Sequence, residues 1–466
     1  MPEESNKKIE ELTVLIHKSR LYEIIYDPVK DEAKFVSYNE ESGNIEVVDK
    51  IEEENIIYKP LIDKFVKSKA VVLPTKAEPY ESEEKLLQDI KLYIHKYIDI
   101  TEENEKICSW VIPTLWLYDK LQMMIPYLRA LGDTGCGKSR FLDVVGGISY
   151  KTMMVGGSVT PAIMYRVAEK WKGTMIIDEA DWKNTDEYSE VVKIINCNQP
   201  NRPIFRCSSD NYDDIKVFDS WCPRIFATRR NFKDIAAESR MLTIQMKETS
   251  RNDIPIALDE GFYKEQIKLR NQLLMYRLKN WNRVNSSIKP TINLTGLEPR
   301  SKQIVYPIAI VFNHREDILG ELSNILGVRQ KELIKDRAET DDGVVINAYL
   351  ELVGKKSPCI TSSDIANIVK SKGEQFEKIT PQTIGHIMKS LGFKNEIRNI
   401  DGQSSRCYIH DEDLINKLKK RYSLKTLECE ACTIDSPNES AGGERLQRLQ
   451  KLQSVGIWQR IVGRFR

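Results

Sequence analysis

Nowhere in the 466 residues do 18 apolar residues follow one another, so the chain has no run suited to crossing a membrane as a helix, and no membrane partner is expected. An excess of one charge is missing as well. The 70 Lys and Arg stand against 69 Asp and Glu, a formal net charge of +1. No global field therefore draws the chain to a polyanion, and any grip on nucleic acid must come from local patches. The opening residues, Met1-Pro2-Glu3-Glu4-Ser5, lack the basic and apolar regions of an export signal. The nine cysteines are odd in number and scattered, which argues against a disulfide framework and for a reducing, cytoplasmic setting. What remains is an ordinary balance, 41% hydrophobic and 30% charged, in a chain long enough for about three domains.

Against that plain background one run stands out. Gly132-Asp133-Thr134-Gly135-Cys136-Gly137-Lys138-Ser139 fits G-x-x-x-x-G-K-[ST] at every fixed position. An apolar stretch, Tyr127 to Leu131, reads as a strand before it, and an amphipathic stretch, Phe141 to Ile148, reads as a helix after it. Glycines allow successive backbone N–H groups to turn inward on a phosphate chain, and the helix start adds partial positive charge. Lys138 is placed to reach the β- and γ-phosphates, and Ser139 to hold Mg²⁺. The motif points to binding of a nucleoside triphosphate.

About 40 residues on, Thr174-Met175-Ile176-Ile177 reads as a buried central strand that ends in Asp178-Glu179. Such a strand delivers two carboxylates beside the phosphates. Asp178 would hold the Mg²⁺ shell, and Glu179 would orient and polarise the attacking water. Farther along, Arg224 to Thr228 reads as another core strand, Phe232 to Ser239 as a helix ending at Arg240, and Met241 to Met246 as the next strand.

In this order of elements the chain resembles the AAA+ ATPases over about residues 100–330. The resemblance implies an α/β P-loop NTPase fold, a parallel sheet flanked by helices, with a helical lid. It also implies a sensor residue after the fourth strand, matched by Thr228, and an arginine finger before the fifth, matched by Arg240. In that family the finger reaches the γ-phosphate of a neighbouring subunit. The usual sensor pair is Thr-Asn, and here it is Thr228-Arg229. Arg300, in Leu297-Glu298-Pro299-Arg300, stands where the second sensor arginine would open a lid helix. An expected hairpin, Pro203–Cys207 and Ile215–Phe218, resembles the pre-sensor hairpin of MCM proteins and superfamily-three helicases. Its turn, however, carries Asp210, Asp213 and Asp214, which would repel a phosphate backbone. The segments Pro126-Tyr127-Leu128-Arg129 and Ala237-Glu238-Ser239-Arg240 resemble ATPases of archaeal plasmids, viruses and integrated elements.

The remaining divisions follow from composition and periodicity. Residues 1–80 read as a small β-containing module, with a hairpin about Ser42-Gly43-Asn44. Lead-in helices and the ATPase core occupy 81–255, and the lid 256–335. A polar stretch, Lys335 to Gly343, reads as a linker. Residues 343–425 look like a winged helix. Thr380-Pro381 opens its third helix, Gln382, Thr383, His386, Lys389 and Ser390 face away from the apolar side, and a hairpin turns at Asp401-Gly402. Residues 380–425 carry nine Lys/Arg against five Asp/Glu, a patch suited to DNA. Residues 426–466 form a basic, low-complexity tail. Cys407, His410, Cys429 and Cys432 have the count for zinc, but 407 and 410 fall on opposite faces of a strand.

The expectation is thus an ATP- and Mg²⁺-dependent AAA+ protein acting on DNA, a replication helicase or initiator of a mobile element. It would work as a homo-oligomer, a hexameric ring by resemblance. An ATP-controlled DNA-binding switch and a remodeller of protein complexes are the rival expectations.

Overall fold

The computed structural model describes residues 7–155, 160–178, 186–207, 214–232, 234–338, 340–373, 376–400 and 402–422. They divide into two compact units, one through Gln330 and one from Lys331.

The first unit opens with two small sheets. One holds β1 (Lys8–Leu12), β6 (Ile51–Glu52) and β7 (Ile56–Pro60); the other is an antiparallel run of β2 (Val14–His17), β3 (Arg20–Asp27), β4 (Glu32–Asn39) and β5 (Asn44–Val48). The expected hairpin is β4–β5, and Gly43 takes the left-handed φ of +70° that its turn requires. After α1 (Lys64–Lys67), β8 (Val71–Val72) pairs antiparallel with the edge of the central sheet. Leu21, Ile25 and Val36 enter one core cluster that includes the central sheet, and Ile24, Leu61 and Val66 the other. The N-terminal segment is therefore packed into the first unit rather than set apart from it.

Two helices lead to the central sheet, α2 (Glu83–Tyr97) and α3 (Glu102–Trp116), followed by the short α4 (Tyr118–Leu121). Ser82 and Thr101 cap the first two by accepting from Lys85 N–H and Asn104 N–H, each with two glutamates opening the first turn. The sheet itself is built from β9 (Tyr127–Leu131), β10 (Thr152–Val155), β11 (Met175–Ile177), β14 (Arg224–Thr228) and β15 (Met241–Gln245). Its order is β15-β9-β14-β11-β10-β8, parallel except for β8. Alternate side chains serve opposite faces: Leu128, Ala130, Ile225 and Ile244 enter one cluster, Tyr127, Phe226 and Met241 the other.

The connections are α5 (Lys138–Phe141) with a π-helical turn (Leu142–Gly146), α6 (Pro161–Trp171), α7 (Asp186–Asn196), the hairpin β12 (Ile204–Cys207) and β13 (Ile215–Phe218), and α8 (Ile235–Glu238). The helix expected over 141–148 is thus one α turn that widens into a π turn, and the helix expected over 232–239 shrinks to four residues. The carboxylates at 210 and 213 of the hairpin turn lie outside the described residues. Helices α9 (Glu260–Asn280), α10 (Pro299–Val311) and α11 (Glu316–Ala338) follow, matching the helical segment read for the lid.

The expected linker is not a linker. Helix α11 runs to Ala338, and α12 (Asp341–Gly354) starts three residues later, capped by Thr340. The polar residues read as a flexible joint are two helix ends: Lys335-Asp336-Arg337 close one helix, and Asp341-Asp342 supply the acidic first turn of the next. In the second unit α12 packs with α13 (Ser362–Ser371) and α14 (Pro381–Ser390). A hairpin, β16 (Asn395–Ile400) and β17 (Gln403–Tyr408), and α15 (Glu412–Tyr422) complete it. The strand expected at 359–361 is only an extended stretch whose Ile360 carbonyl accepts from Tyr408 N–H at 2.9 Å. That contact lays Cys359 beside β17, where it is bonded to Cys407. The reading of free cysteines is corrected at this pair, and Cys407 is withdrawn from any zinc set; residues 429 and 432 lie outside the described residues. Among the described residues no cluster of three metal-ligating side chains occurs, and no helix is long and apolar enough to cross a membrane.

Candidate active site

The glycine-rich run leaves the C-terminal end of β9 and turns at once into α5. Gly135 and Gly137 both take φ +88°, which a β-carbon would strain. Gly132 is needed for space: a β-carbon there would lie 2.5 Å from the Met246 carbonyl oxygen and 2.7 Å from Cys136 Sγ. Asp133, Thr134, Gly135, Gly137 and Ser139 are exposed, while Cys136 is buried beneath them. Lys138 Nζ donates to the carbonyls of Gly132 at 2.8 Å and Asp133 at 2.5 Å, so its ammonium sits along the inner rim of the loop.

Across the mouth of the loop, Ser139 Oγ donates to Asp178 Oδ2 at 2.9 Å. Asp178 directly follows β11, two strands away from β9, and β14 lies between them. A hydroxyl and a carboxylate side by side are hard oxygen donors of the kind that suits Mg²⁺. Asp143 lies close by, and burial first, then the Asp178 charge, raises its carboxyl above the ordinary value. Glu179 lies outside the described residues.

Thr228 ends the intervening strand β14. Its carbonyl accepts from Gly132 N–H at 3.2 Å, and its buried hydroxyl has no hydrogen-bond partner among the described residues. A polar group therefore stands at the base of the phosphate loop, between the strand of the loop and the strand of Asp178.

The two arginines are elsewhere. Arg240 ends the turn after α8, and its carbonyl accepts from Tyr127 N–H, the first residue of β9. It is separated from the phosphate loop by the length of that strand, about 13 Å for four steps of extended chain. Arg240 is 9% exposed; its guanidinium donates to the carbonyls of Ala236 and Asn196, and its Nε has no partner among the described residues. Burial first, and then the nearby charge of Arg300, press it below its ordinary pKa. Arg300 donates to Gln303 Oε1 at 3.0 Å and touches Met124 Sδ at 3.6 Å, three residues before β9 begins. Both arginines thus gather at the edge of the sheet opposite the phosphate loop of their own chain.

Sequence reading passed over the groups that hold this edge in place. Arg129, in the middle of β9, is 1% exposed, and its guanidinium makes paired contacts of 2.5 Å with both carboxylate oxygens of Glu238. It also donates to Thr243 Oγ1 at 2.7 Å and Asn231 Oδ1 at 3.2 Å. The signal was present: a lone cation inside Tyr-Leu-Arg-Ala-Leu, an otherwise apolar strand, demands a buried acceptor.

No protein-family model matches the chain, and no curated protein does. Solved structures with a similar arrangement include the apo C-terminal region of NrS-1, 14% identical over 84% of this chain and 96% of that one, at a TM-score of 0.36. Another is the "SCCmec type IV Cch - active helicase", 10% identical over 87% and 99%, at 0.38. A third is the JCV helicase bound to a small molecule, 10% identical over 55% and 64%, at 0.26.

Proposed function

We propose that this chain is an ATP-hydrolysing protein of AAA+ type that acts on DNA as a ring of like subunits, a replication helicase or initiator of a mobile genetic element. The observation that carries the reading is the Ser139–Asp178 pair, 2.9 Å apart at the mouth of a complete phosphate loop. Backbone N–H groups of Gly135 to Ser139 would hold the β- and γ-phosphates, with Lys138 as their counter-charge. Ser139 and Asp178 would hold Mg²⁺, which would supply positive charge against the β- and γ-phosphates. Glu179 would take up the proton of the attacking water, and Thr228 would contact that water or the γ-phosphate. Arg240, remote from its own loop, would serve the loop of a neighbour, and a fixed cation there is worth roughly 10³–10⁵ in rate in comparable enzymes. Arg300, beside it, would share that edge.

DNA would be met by the winged helix read over residues 343–425, of which 343–373, 376–400 and 402–422 are described. Helix α14 buries Ile384 and Met388 and leaves Gln382, Thr383, His386, Lys389 and Ser390 exposed. The β16–β17 hairpin turns in two residues, with Gly402 at φ +81°. Such a helix enters the major groove while the hairpin meets the backbone.

Steady-state ATP hydrolysis with and without single-stranded and duplex DNA tests the proposal, with Glu179→Gln as the blank. Stimulation by single strands is expected. Hydrolysis indifferent to both DNAs would overturn the helicase reading and favour a switch or a protein remodeller. Arg240→Ala should abolish turnover while sparing ATP affinity, and mixing it with Lys138→Ala subunits should restore part of the activity.

A further inference from the structure

The two sequence segments singled out before and after the glycine-rich loop, around Arg129 and around Glu238, meet in space. Their contact bears on how Arg240 is presented. Helix α8 is only four residues long and cannot hold its own position; hydrogen bonding within so short a piece is too weak. It is held instead by Glu238, whose carboxylate receives both arms of Arg129 and also the Phe232 N–H at 2.9 Å. Arg240 lies two residues beyond Glu238, and its own carbonyl is tied to Tyr127 of the same strand. Arg129 is further bound to Asn231, three residues past Thr228, and its guanidinium lies 5.8 Å from the centre of the Phe232 ring. One buried cation on the strand that feeds the phosphate loop therefore fixes both ends of the segment running from the sensor position to the finger position.

We propose that the Arg129–Glu238 pair is the positioning clamp that sets Arg240 for the nucleotide of the next subunit. The inference rests on the trans-acting role proposed above for Arg240. The clamp touches no substrate; it acts through Arg240. A planar guanidinium gripping a carboxylate by two bonds fixes direction as well as distance, which a lysine or a single hydrogen bond would not do. A shift of about 1 Å in a group that acts in a transition state can lower the rate about 10²-fold.

The test uses the full chain carrying Glu238→Gln, which keeps the shape and a hydrogen-bond acceptor but removes the charge pair. Turnover should fall on the order of 10²-fold in kcat, with KM for ATP unchanged. Whatever residual turnover Arg240→Ala retains should not fall further when Glu238→Gln is added, because both changes remove one effect. Mixed assemblies of Glu238→Gln with Lys138→Ala subunits supply the readout that a merely structural role would not move. In these the only intact phosphate loops belong to Glu238→Gln subunits, and those served by a Lys138→Ala neighbour receive Arg240 from an intact clamp, so part of the activity should return. Absence of that recovery in assemblies shown to contain both subunits would overturn the clamp, as would a wild-type kcat for Glu238→Gln when Arg240→Ala is inactive. A wild-type kcat for Arg240→Ala would instead remove the trans-acting role, and the clamp with it.

Discussion

Glu23 is 1% exposed, and its carboxylate accepts from Tyr150 Oη at 2.9 Å, Arg277 Nε at 2.7 Å and Lys151 Nζ at 3.0 Å. Arg277 in turn reaches Asp119 with two bonds of 2.7–2.8 Å, so two buried cations are balanced by two carboxylates. Burial still presses the Lys151 ammonium below its ordinary pKa, despite Glu23 beside it. Removing one partner of such a group leaves charge without compensation, which costs about 3–5 kcal/mol. Glu23→Gln should therefore lower the unfolding free energy of the first unit by that amount, read as a fall in the urea midpoint with the slope of the transition unchanged. If the midpoint holds, the network is no more than a set of exchangeable polar contacts. This site also marks what sequence could and could not reveal at the scale of residues. The glycine-rich turn between β9 and α5 was legible because its residues are consecutive and its glycines answer to backbone geometry alone. Glu23 and Arg277 are 254 positions apart, and only the fold makes them neighbours. Arg129 could have been suspected, but its partner could not have been named.

Among the elements, α8 shows why boundaries were the weaker part of the reading. Apolar spacing over 232–239 fits a helix, yet Phe232 is drawn into the core against Phe226, and its N–H goes to Glu238 rather than to a helical turn. What remains is a single turn that depends on its cap. Asp234 Oδ1 accepts from Ala237 N–H at 2.7 Å and from Asn196 Nδ2 at 3.2 Å. The Ala237 bond, ahead of the others, holds the Asp234 carboxyl below its ordinary pKa of 3.8. Asp234→Ala should therefore lose about 1 kcal/mol of stability near neutral pH. Because the folded-state pKa is the lower one, the stabilisation is complete above 3.8 and disappears as pH falls through the folded value. Wild type and variant should converge in denaturation midpoint at low pH and separate again above 3.8; a gap that persists at low pH would mean that Asp234 acts by packing rather than by its charge. The same competition between local pattern and tertiary demand explains the misread linker, where two charged helix ends in succession have the composition of a loop.

At the scale of the molecule, the α/β sheet and the helical segments were legible because strand, loop and helix alternate along the chain, whereas the merger of residues 7–72 with the central-sheet region was not. Edge strand β8 and the apolar faces of β3 and β4 commit to that region only through contacts that local sequence cannot express. The second unit is different, with a core cluster of its own running from Val345 to Tyr422. Its Cys359–Cys407 bond closes a loop of 48 residues, which removes chain entropy from the unfolded state worth about 4 kcal/mol. Heating the full chain should then give two transitions, one for each core. A reductant should lower the transition of the second unit by roughly 15 °C or more, as expected for a domain of this size. The transition of the first unit should not move, because Cys108, Cys136, Cys197, Cys207 and Cys222 are all free thiols there. Cys359→Ser should reproduce the effect without reductant and abolish any further response to it. A single transition that moves as a whole would show instead that the two cores unfold together, and that residues 331–422 draw their stability from the rest of the chain.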